Sequence, residues 1–247
     1  MVGRTRAAAG GAVRGVGNRL LAGFPVGELR RLLPSAETVA LAYNDRLFAR
    51  GATARHVFFP QHGIIALVHR LADGATVQVA AIGDAGAAGI AGVVGDTTYR
   101  LDGIVQNAGT ALRLDAGELH DAIRRSPRLA AIMMQDLARR CLETAQNIAC
   151  NAHHSIEQRL ARWLVAAHDG AGRDALTVSH AFLSMMLGTQ RTGITAALGA
   201  LKQARLVDTR YGGVTVRDRK RLAAVACPCY RTVRRLYAGV AADRPHR

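Results

Sequence analysis

Side chains able to recognise nucleic-acid bases are concentrated near the C-terminal end of the chain. Arginine can form two parallel hydrogen bonds with guanine, and glutamine can do the same with adenine. Arg191 directly follows Gln190 at the start of a predicted helix, where side chains could reach a base edge or a phosphate. The candidate DNA contacts are Ser179, Gln190, Arg191, Thr192, Thr195, Lys202, Arg210 and Tyr211.

The apolar residues around these side chains predict two short helices joined by a tight turn. A first apolar stripe occupies residues 182–187, Ser179 stands at the N-cap position before it, and Gly188 ends it. A second stripe consists of Ile194, Leu198 and Leu201. This arrangement is a helix-turn-helix, whose second helix can enter a DNA major groove. For the motif taken alone, a helical hairpin packed in a core is the alternative.

A short β-hairpin is predicted directly after the second helix. Two β-prone runs, 206–210 and 214–217, flank a glycine pair at positions where positive φ is needed. A helix-turn-helix followed by such a hairpin is a winged helix. Arg210 and Tyr211 would then lie at the wing tip, close to a DNA backbone; a solvated turn charge is the alternative for Arg210.

Positive charge is concentrated in the same part of the chain. The formal net charge is +15 over 247 residues. Residues 153–247 hold 16 Lys and Arg against 6 Asp and Glu, whereas residues 20–152 hold 13 against 12. Residues 1–19 add four arginines and no acid. This distribution is typical of a nucleic-acid-binding domain with a basic tail. A membrane surface or an acidic protein partner fits the charge but leaves the helix-turn-helix unexplained.

The remaining reactive residues form no recognisable catalytic or metal-binding pattern. Cys227 and Cys229 are separated by one residue, and no second pair stands at zinc-site spacing. Cys141 and Cys150 are nine residues apart on a predicted helix and project from opposite sides. His154 lies at a predicted joint, where solvent exposure is the expectation. We therefore predict reduced thiols, no catalytic residue, no metal site and no cofactor, and we do not expect an enzyme.

The first half of the chain predicts an antiparallel β-domain. Between residues 38 and 114, short alternating or apolar runs are separated by glycines, and Asp73-Gly74 is a hairpin signal. Six or more strands at this spacing indicate a barrel or roll. The glycine-rich segment 83–95 matches neither the P-loop nor the dinucleotide-binding pattern, so a tight structural loop is favoured over a phosphate cradle.

Helices are predicted on both sides of this β-domain. One spans residues 18–33, and a longer one begins after Pro127 and ends near Asn151. The longer helix carries an apolar stripe that is a candidate dimer seam. The alternative is packing against its own β-domain, and one helix could do both. The stripe consists of Leu129, Ile132, Met133, Leu137 and Cys141.

Taken in this order, the chain resembles the Crp–Fnr family of bacterial transcription regulators over roughly residues 18–237. The strongest local similarities are His-Ser-Ile-Glu-Gln-Arg-Leu-Ala-Arg-Trp-Leu at 154–164, Phe-Leu-Ser-Met-Met-Leu-Gly at 182–188, and the helix start around Arg191. Ala-Cys-Pro-Cys-Tyr at 226–230 resembles an ending that recurs in one branch of the family. The resemblance implies an α+β fold: an N-terminal antiparallel β-roll that is cupin-like and cyclic-nucleotide-binding-like, a long connecting dimer helix, and a C-terminal winged helix-turn-helix.

The resemblance also implies partners. It implies a homodimer that reads palindromic double-stranded DNA with two recognition helices, a sensory β-roll, and contact with RNA polymerase. Family members that bind cyclic nucleotides carry Glu where this chain has Ala87 or Ala88, and Arg-Ser or Arg-Thr near its Tyr99 and Arg100. We therefore expect no cAMP binding and a different, unidentified effector. The matching effector region comprises Gly83, Asp84, Gly86, Tyr99 and Arg100.

The chain also differs from other family members in the residues of the iron–sulfur sensor and of the recognition helix. No Cys precedes Cys141, so the N-terminal cysteine cluster of iron–sulfur members is absent. Haem remains an alternative cofactor, because a single histidine can serve as its ligand. Thr192 replaces a Glu of the family recognition helix, and a later Arg position falls near Ala196, so the half-site is expected to differ from the usual one.

These patterns together predict a dimeric, DNA-binding transcription regulator in the cytoplasm. No secretory signal and no apolar run of about 18 residues is present, so no membrane association is expected. The alternative is a ligand-sensing or protein-interaction module whose winged helix does not bind DNA specifically. The predicted segments are a disordered basic tail at 1–17, the β-roll at 18–126, the dimer helix at 127–152, the winged helix at 153–237 and a tail at 238–247.

Overall fold

A computed structural model of the chain describes residues 5–6, 16–210 and 212–240. The chain divides into two compact units, and the boundary falls inside a long helix, between Cys141 and Leu142. The predicted tails at 1–17 and 238–247 lie largely outside the described residues. The first unit runs to Leu67 and continues with Ala81–Cys141 and the segment from Tyr237, and the second comprises Val68–Ala80 and Leu142–Leu236.

An antiparallel sheet forms the β-domain, as predicted. Its strand order is β1-β2-β6-β4-β5, with β3 also paired to β6. Several short runs predicted as separate strands belong to two long strands, β4 and β6. The tight turn predicted at Asp73-Gly74 joins β4 to β5, with Gly74 at φ 84°. The strands are β1 (Thr5–Arg6), β2 (Glu37–Leu41), β3 (Arg46–Phe48), β4 (His56–Arg70), β5 (Thr76–Ile82) and β6 (Asp102–Asp115).

The helix predicted over residues 18–33 is two helices instead. Asn18 caps the first, because its side-chain oxygen accepts a hydrogen bond from the Leu21 amide at 2.9 Å. Gly23 ends that helix, and Pro25, which has no amide hydrogen, precedes the next. No described helix is long and apolar enough to cross a membrane. The helices from this part of the chain are α1 (Arg19–Ala22), α2 (Val26–Leu32), α3 (Ala116–Arg125) and α4 (Pro127–His153).

The second unit contains the helix-turn-helix and wing. Their predicted order is confirmed, and one strand that we did not predict, β7, completes a sheet of order β7-β9-β8. Ser155 starts the first helix with a capping box, in which it exchanges hydrogen bonds with Gln158. The elements are α5 (Ile156–Ala171), β7 (Ala175–Thr177), α6 (His180–Leu187), α7 (Arg191–Gln203), β8 (Val207–Arg210), β9 (Gly213–Val216), α8 (Arg219–Val225) and α9 (Cys229–Ala238).

The predicted domain limits do not coincide with the two units, because the β4–β5 hairpin tip groups with the helices of the second unit. Trp163 donates from its indole nitrogen to Gln78 in this tip, at 3.2 Å. The Trp163 ring also packs edge-on against Phe182, with centroids 6.3 Å apart. The same indole therefore contacts both α6 and the hairpin tip.

Candidate DNA-binding site and effector region

The first helix of the motif, α6, is held at both ends. At its start, the Ser179 hydroxyl oxygen accepts a hydrogen bond from the Phe182 amide at 3.1 Å. At its end, Gly188 adopts φ 57°, the left-handed region that favours glycine. A Cβ on Gly188 would also lie 2.9 Å from Val77, so a larger residue would strain the turn twice. The structure therefore gives Ser179 a capping role, and its contact with DNA stays a prediction.

The second helix, α7, has one buried and one exposed face. Ile194, Leu198 and Leu201 are buried, as their spacing predicted. Gln190, Arg191 and Thr192 are exposed at the start of the helix. No hydrogen bond or ion pair joins the Arg191 side chain to another described residue. The start of α7 thus presents an unpaired guanidinium beside an amide and a hydroxyl, the groups that read base edges.

Thr195 is also exposed, but its hydroxyl has partners within the protein. It donates to the Arg191 carbonyl at 3.0 Å and lies 3.1 Å from Nδ1 of His180. No local pattern in the sequence pointed to His180, because it is the first residue of α6 and lies 15 positions before Thr195. Its contact ties the start of α6 to the exposed face of α7.

The wing is a short hairpin of β8 and β9. Arg210 pairs with Gly213 in the ladder, and Gly212 supplies the positive φ, 72°, that the turn requires. The Arg210 side chain is exposed, whereas Tyr211 lies outside the described residues. Lys202 is exposed near the end of α7. Two exposed cations therefore stand outside the start of α7, one at its far end and one on the wing.

A charged cluster joins α5, α8 and α9 behind the motif. Arg219 makes a forked ion pair with Asp169, at 3.0 and 2.7 Å, and the Tyr230 hydroxyl also donates to this carboxylate. Burial alone would raise the pKa of Asp169, but the hydrogen bonds from Arg219, Tyr230 and His168 outweigh it and lower the pKa to about 2. The ionised carboxylate is therefore part of the folded state.

We expect Asp169→Asn to remove an acid-sensitive part of the free energy of unfolding. The pKa is about 2 in the folded chain against a usual 3.8, so this contribution is present above about pH 4 and lost as the pH falls towards about 2. Urea unfolding midpoints over this pH range measure it. Tyr230→Phe, which keeps the Arg219 fork, should lose only part of the effect. If the urea midpoints of the wild type and of Asp169→Asn changed with pH in the same way, this role of Asp169 would be contradicted.

The predicted effector loop is held by hydrogen bonds from its own unit. Asp84 forms an ion pair with Arg19 at 3.0 Å. The Gly86 carbonyl accepts a hydrogen bond from the side-chain amide nitrogen of Asn18 at 2.9 Å. Arg140, on α4, donates to the Ala87 carbonyl, and a Cβ on Gly86 would lie 2.9 Å from this guanidinium. The sequence did not point to Arg140, because no local pattern connects this residue with a loop more than 50 residues earlier.

Tyr99 and Arg100 have different neighbours from the Gly83–Gly86 turn. The Tyr99 hydroxyl donates to the His56 carbonyl at 2.8 Å, and its ring stacks on Phe48 with centroids 4.3 Å apart. Burial raises the pKa of Tyr99. Arg100 is exposed and forms an ion pair with Asp96. Of the five candidate effector residues, the turn glycines and Asp84 are therefore adjacent, whereas Tyr99 and Arg100 serve other contacts.

The predicted dimer stripe on α4 is corrected by its burial. Leu129 and Met133 lie in the core of the first unit, and Ile132 packs against that core, so these side chains are not available to a partner. Leu137 is half-buried and Cys141 is exposed. The helix is apolar on two faces, and the spacing that we used selected the face that packs within its own unit.

Comparisons with known proteins match both units. A sequence profile of the Crp-like helix-turn-helix domain matches residues 158–225, and one of the cyclic nucleotide-binding domain matches residues 38–126. The global nitrogen regulator of Synechocystis sp. is 26% identical over 184 residues, covering 70% of this chain and 80% of that protein. The global nitrogen regulator of Nostoc sp. is 24% identical over 183 residues, covering 70% and 82%.

Solved structures show the same fold. FixK2 from Bradyrhizobium japonicum matches with a TM-score of 0.64 at 15% identity, over 78% of this chain and 98% of that one. The c-di-GMP-responsive global regulator CLP from Xanthomonas campestris matches with a TM-score of 0.64 at 17% identity, over 78% and 99%. The two profiles cover the β-roll and the winged helix in the order found here, and the matched proteins are regulators and not enzymes. The chain therefore belongs to the Crp–Fnr family of DNA-binding transcription regulators.

Proposed function

We propose that this regulator acts as a homodimer that reads a two-fold symmetric DNA site with two copies of α7. The observation that carries the proposal is the exposed start of α7, where Gln190, Arg191 and Thr192 stand clear of the buried face. These side chains would read bases, together with Thr195 where its hydroxyl can exchange partners. Lys202 and Arg210, both exposed, would contact phosphates and supply salt-dependent affinity.

The dimer would form through the exposed face of α4. Five uncharged residues there follow alternating steps of four and three, the spacing of a two-stranded coiled coil. Met134 and Ile148 are each 66% exposed, although both are large and apolar. A second copy of the helix would remove this surface from water. The proposed seam consists of Met134, Ala138, Cys141, Ala145 and Ile148, of which only Cys141 belongs to the stripe predicted from sequence.

The β-roll would sense a ligand other than cAMP. Ala87 and Ala88, at the position of the family carboxylate, are completely buried and cannot hold a ribose. Arg140 lies against the adjoining Gly86, and Arg100 is paired with Asp96, so neither guanidinium is free for a cyclic phosphate. The effector therefore has another chemistry or another place in the β-roll. Membership of the family supports RNA polymerase as a further partner.

Selection of DNA from a random pool by the full chain, at near-physiological salt, tests this proposal. We expect a motif with two-fold symmetry and half-sites about one helical turn apart. Addition of cAMP should change neither the motif nor the affinity. A shift of either by cAMP would contradict the proposed effector chemistry while leaving the dimeric reader intact.

Weak binding without sequence preference would contradict the proposal as it applies to the purified chain. Repeating the selection in cell extract then separates two explanations. A symmetric motif recovered only in extract would show that an effector is required. Absence of a motif in extract as well would favour the protein-interaction module.

A further inference from the structure

Three thiols and an imidazole meet inside the second unit, outside the recognition helix. Cys150 lies in the last turn of α4, and His154 directly follows that helix. Cys227 lies in the turn between α8 and α9, and Cys229 is the first residue of α9. The four possible ligand atoms all lie within 4.8 Å of one another. The three cysteines are free and at most 3% exposed, and His154 is half-buried. The sequence did not reveal this group, because 77 positions separate Cys150 from Cys227.

The backbone directs all four side chains to one point. Cys150 and His154 are four residues apart, and the His154 amide donates to the Cys150 carbonyl at 3.0 Å, so both lie on one face of a helical turn. The Cys227 amide lies 3.4 Å from the Gln158 carbonyl, which places the second ligand pair against α5. Each pair is therefore positioned by regular secondary structure.

The spacing of the ligand atoms fits a tetrahedral ion. Zinc bonds of about 2.3 Å to sulfur and about 2.0 Å to nitrogen give edges of about 3.8 Å between two sulfurs and about 3.5 Å between sulfur and nitrogen. The Sγ atoms of Cys150 and Cys227 are 3.4 Å apart, and Sγ of Cys229 is 3.7 Å from Nδ1 of His154. Even the widest separation in the group would need to shorten by only about 1 Å.

The surroundings supply positive charge and hydrogen bonds to the sulfurs. Arg162 lies close enough for its positive charge to act on the Cys150 sulfur. The Sγ atoms of Cys150 and Cys227 are hydrogen-bonded to each other, and a cation that bound there would displace the thiol protons. Gln146 also donates to Sγ of Cys229 at 3.1 Å, as residues around metal ligands commonly do.

Arg162 has no ion-pair partner among the residues that the structure describes. Its guanidinium donates to the Asn147 side chain at 2.9 Å, and its Nε atom is buried with no hydrogen-bond partner among the described residues. Three thiolates around a divalent ion leave one negative charge in the protein interior. A guanidinium close by offsets that charge and so reduces the cost of burying it.

We propose that Cys150, His154, Cys227 and Cys229 bind one Zn²⁺ ion in each chain. Three sulfurs and one nitrogen form the Cys₃His set of structural zinc sites, in which all four positions of the tetrahedron are filled by protein. The role is therefore structural: the ion fastens the α8–α9 turn to the end of α4. This turn belongs to the same unit as α7, so the ion stabilises the part of the chain that reads DNA.

Metal content of the full chain, purified under reducing conditions without chelator, tests the site. We expect about one zinc per chain by mass spectrometry of the elements. Cobalt substituted for zinc should give thiolate charge-transfer bands and the intense visible bands of a tetrahedral ion. A chelator should release the metal and lower the melting temperature.

Variants of the ligands test which residues bind the metal. Most of the metal should be lost in each of Cys227→Ser, Cys229→Ser and His154→Ala. His154→Cys should keep it, because it supplies a fourth sulfur ligand.

Cys141→Ser is the matched control, because Cys141 is an exposed thiol on the same helix and outside the group. It should retain the full metal content. Wild-type protein that contains no zinc and gives no tetrahedral cobalt spectrum on reconstitution would overturn the proposal, whether or not the variants fold. A Cys150–Cys227 disulfide in protein handled under reducing conditions would overturn it as well. Neither result bears on DNA selection, so this inference and the proposed function fail separately.

Discussion

Replacing Arg140 with methionine should lower the free energy of unfolding by about 3–5 kcal/mol. Arg140 donates to Asp136, one turn earlier on α4, at 2.8 Å, and Asp136 is completely buried. Without the guanidinium, this carboxyl group would be left in the protein interior without its ion-pair partner. The substitution also removes the hydrogen bond to the Ala87 carbonyl, which holds the effector loop. Urea unfolding followed by circular dichroism measures the loss.

Two further variants distinguish the cost of leaving one member of the Asp136–Arg140 pair buried alone from the cost of losing the contacts of Arg140. The double variant Asp136→Leu with Arg140→Met removes both charges, so it should recover much of the lost stability. Arg100→Met breaks an ion pair of the same spacing with Asp96, but the Arg100 side chain is 72% exposed, so this variant should lose much less stability than Arg140→Met. If Arg140→Met cost no more than Arg100→Met, the buried pair would have no special role.

Replacing Arg191 with alanine should weaken binding to the selected operator by about 1–3 kcal/mol per half-site, or roughly 5–150-fold. Arg191 is exposed at the start of α7 and is unpaired among the described residues, so its guanidinium is free to form two hydrogen bonds with a guanine. Loss of that fork should also relax the base preference at one position of each half-site. Titration of the operator and of its single-base variants measures both effects.

Lys202→Ala is the comparison for a phosphate contact. Lys202 is exposed near the other end of α7, so its loss should weaken binding to all DNA sequences by similar factors. It should also reduce the slope of log affinity against log salt concentration by about one. The melting temperature of Arg191→Ala should match the wild type, because this side chain is exposed and has no hydrogen bond or ion pair within the described part of the chain. If Arg191→Ala weakened binding to every DNA sequence equally, Arg191 would be a phosphate contact. Base recognition would then depend on Gln190 and Thr192.

Local signals in the sequence predicted the elements of the DNA-binding half well. The helix cap at Ser179 and the left-handed Gly188 act within a few residues, so the local chain determines them. The buried stripe of α7 also follows from spacing, because only one face of that helix is apolar. The break at Pro25 shows the limit of such reasoning: the apolar pattern runs through it, but the backbone does not.

The long helix α4 shows where periodicity is insufficient. Its apolar residues occupy two faces, and the sequence pattern shows only that these two faces exist. Leu129 and Met133 are buried because the core of the first unit lies against them, whereas Met134 and Ile148 are exposed. Which face packs within its own unit depends on elements distant in the chain, and no local pattern contains that information.

The sequence by itself determined most of the elements, their order, the charge distribution and the exposed start of α7, because helix and strand periods, caps and glycines act over a few residues. The tertiary structure alone decided which distant residues meet. It placed Arg140 against the effector loop, and it joined Cys150 and His154 to the Cys227–Cys229 turn. The physical reason is that hydrogen bonds and metal ligands require atoms a few ångströms apart, and only the packing of helices and strands brings such separated positions together.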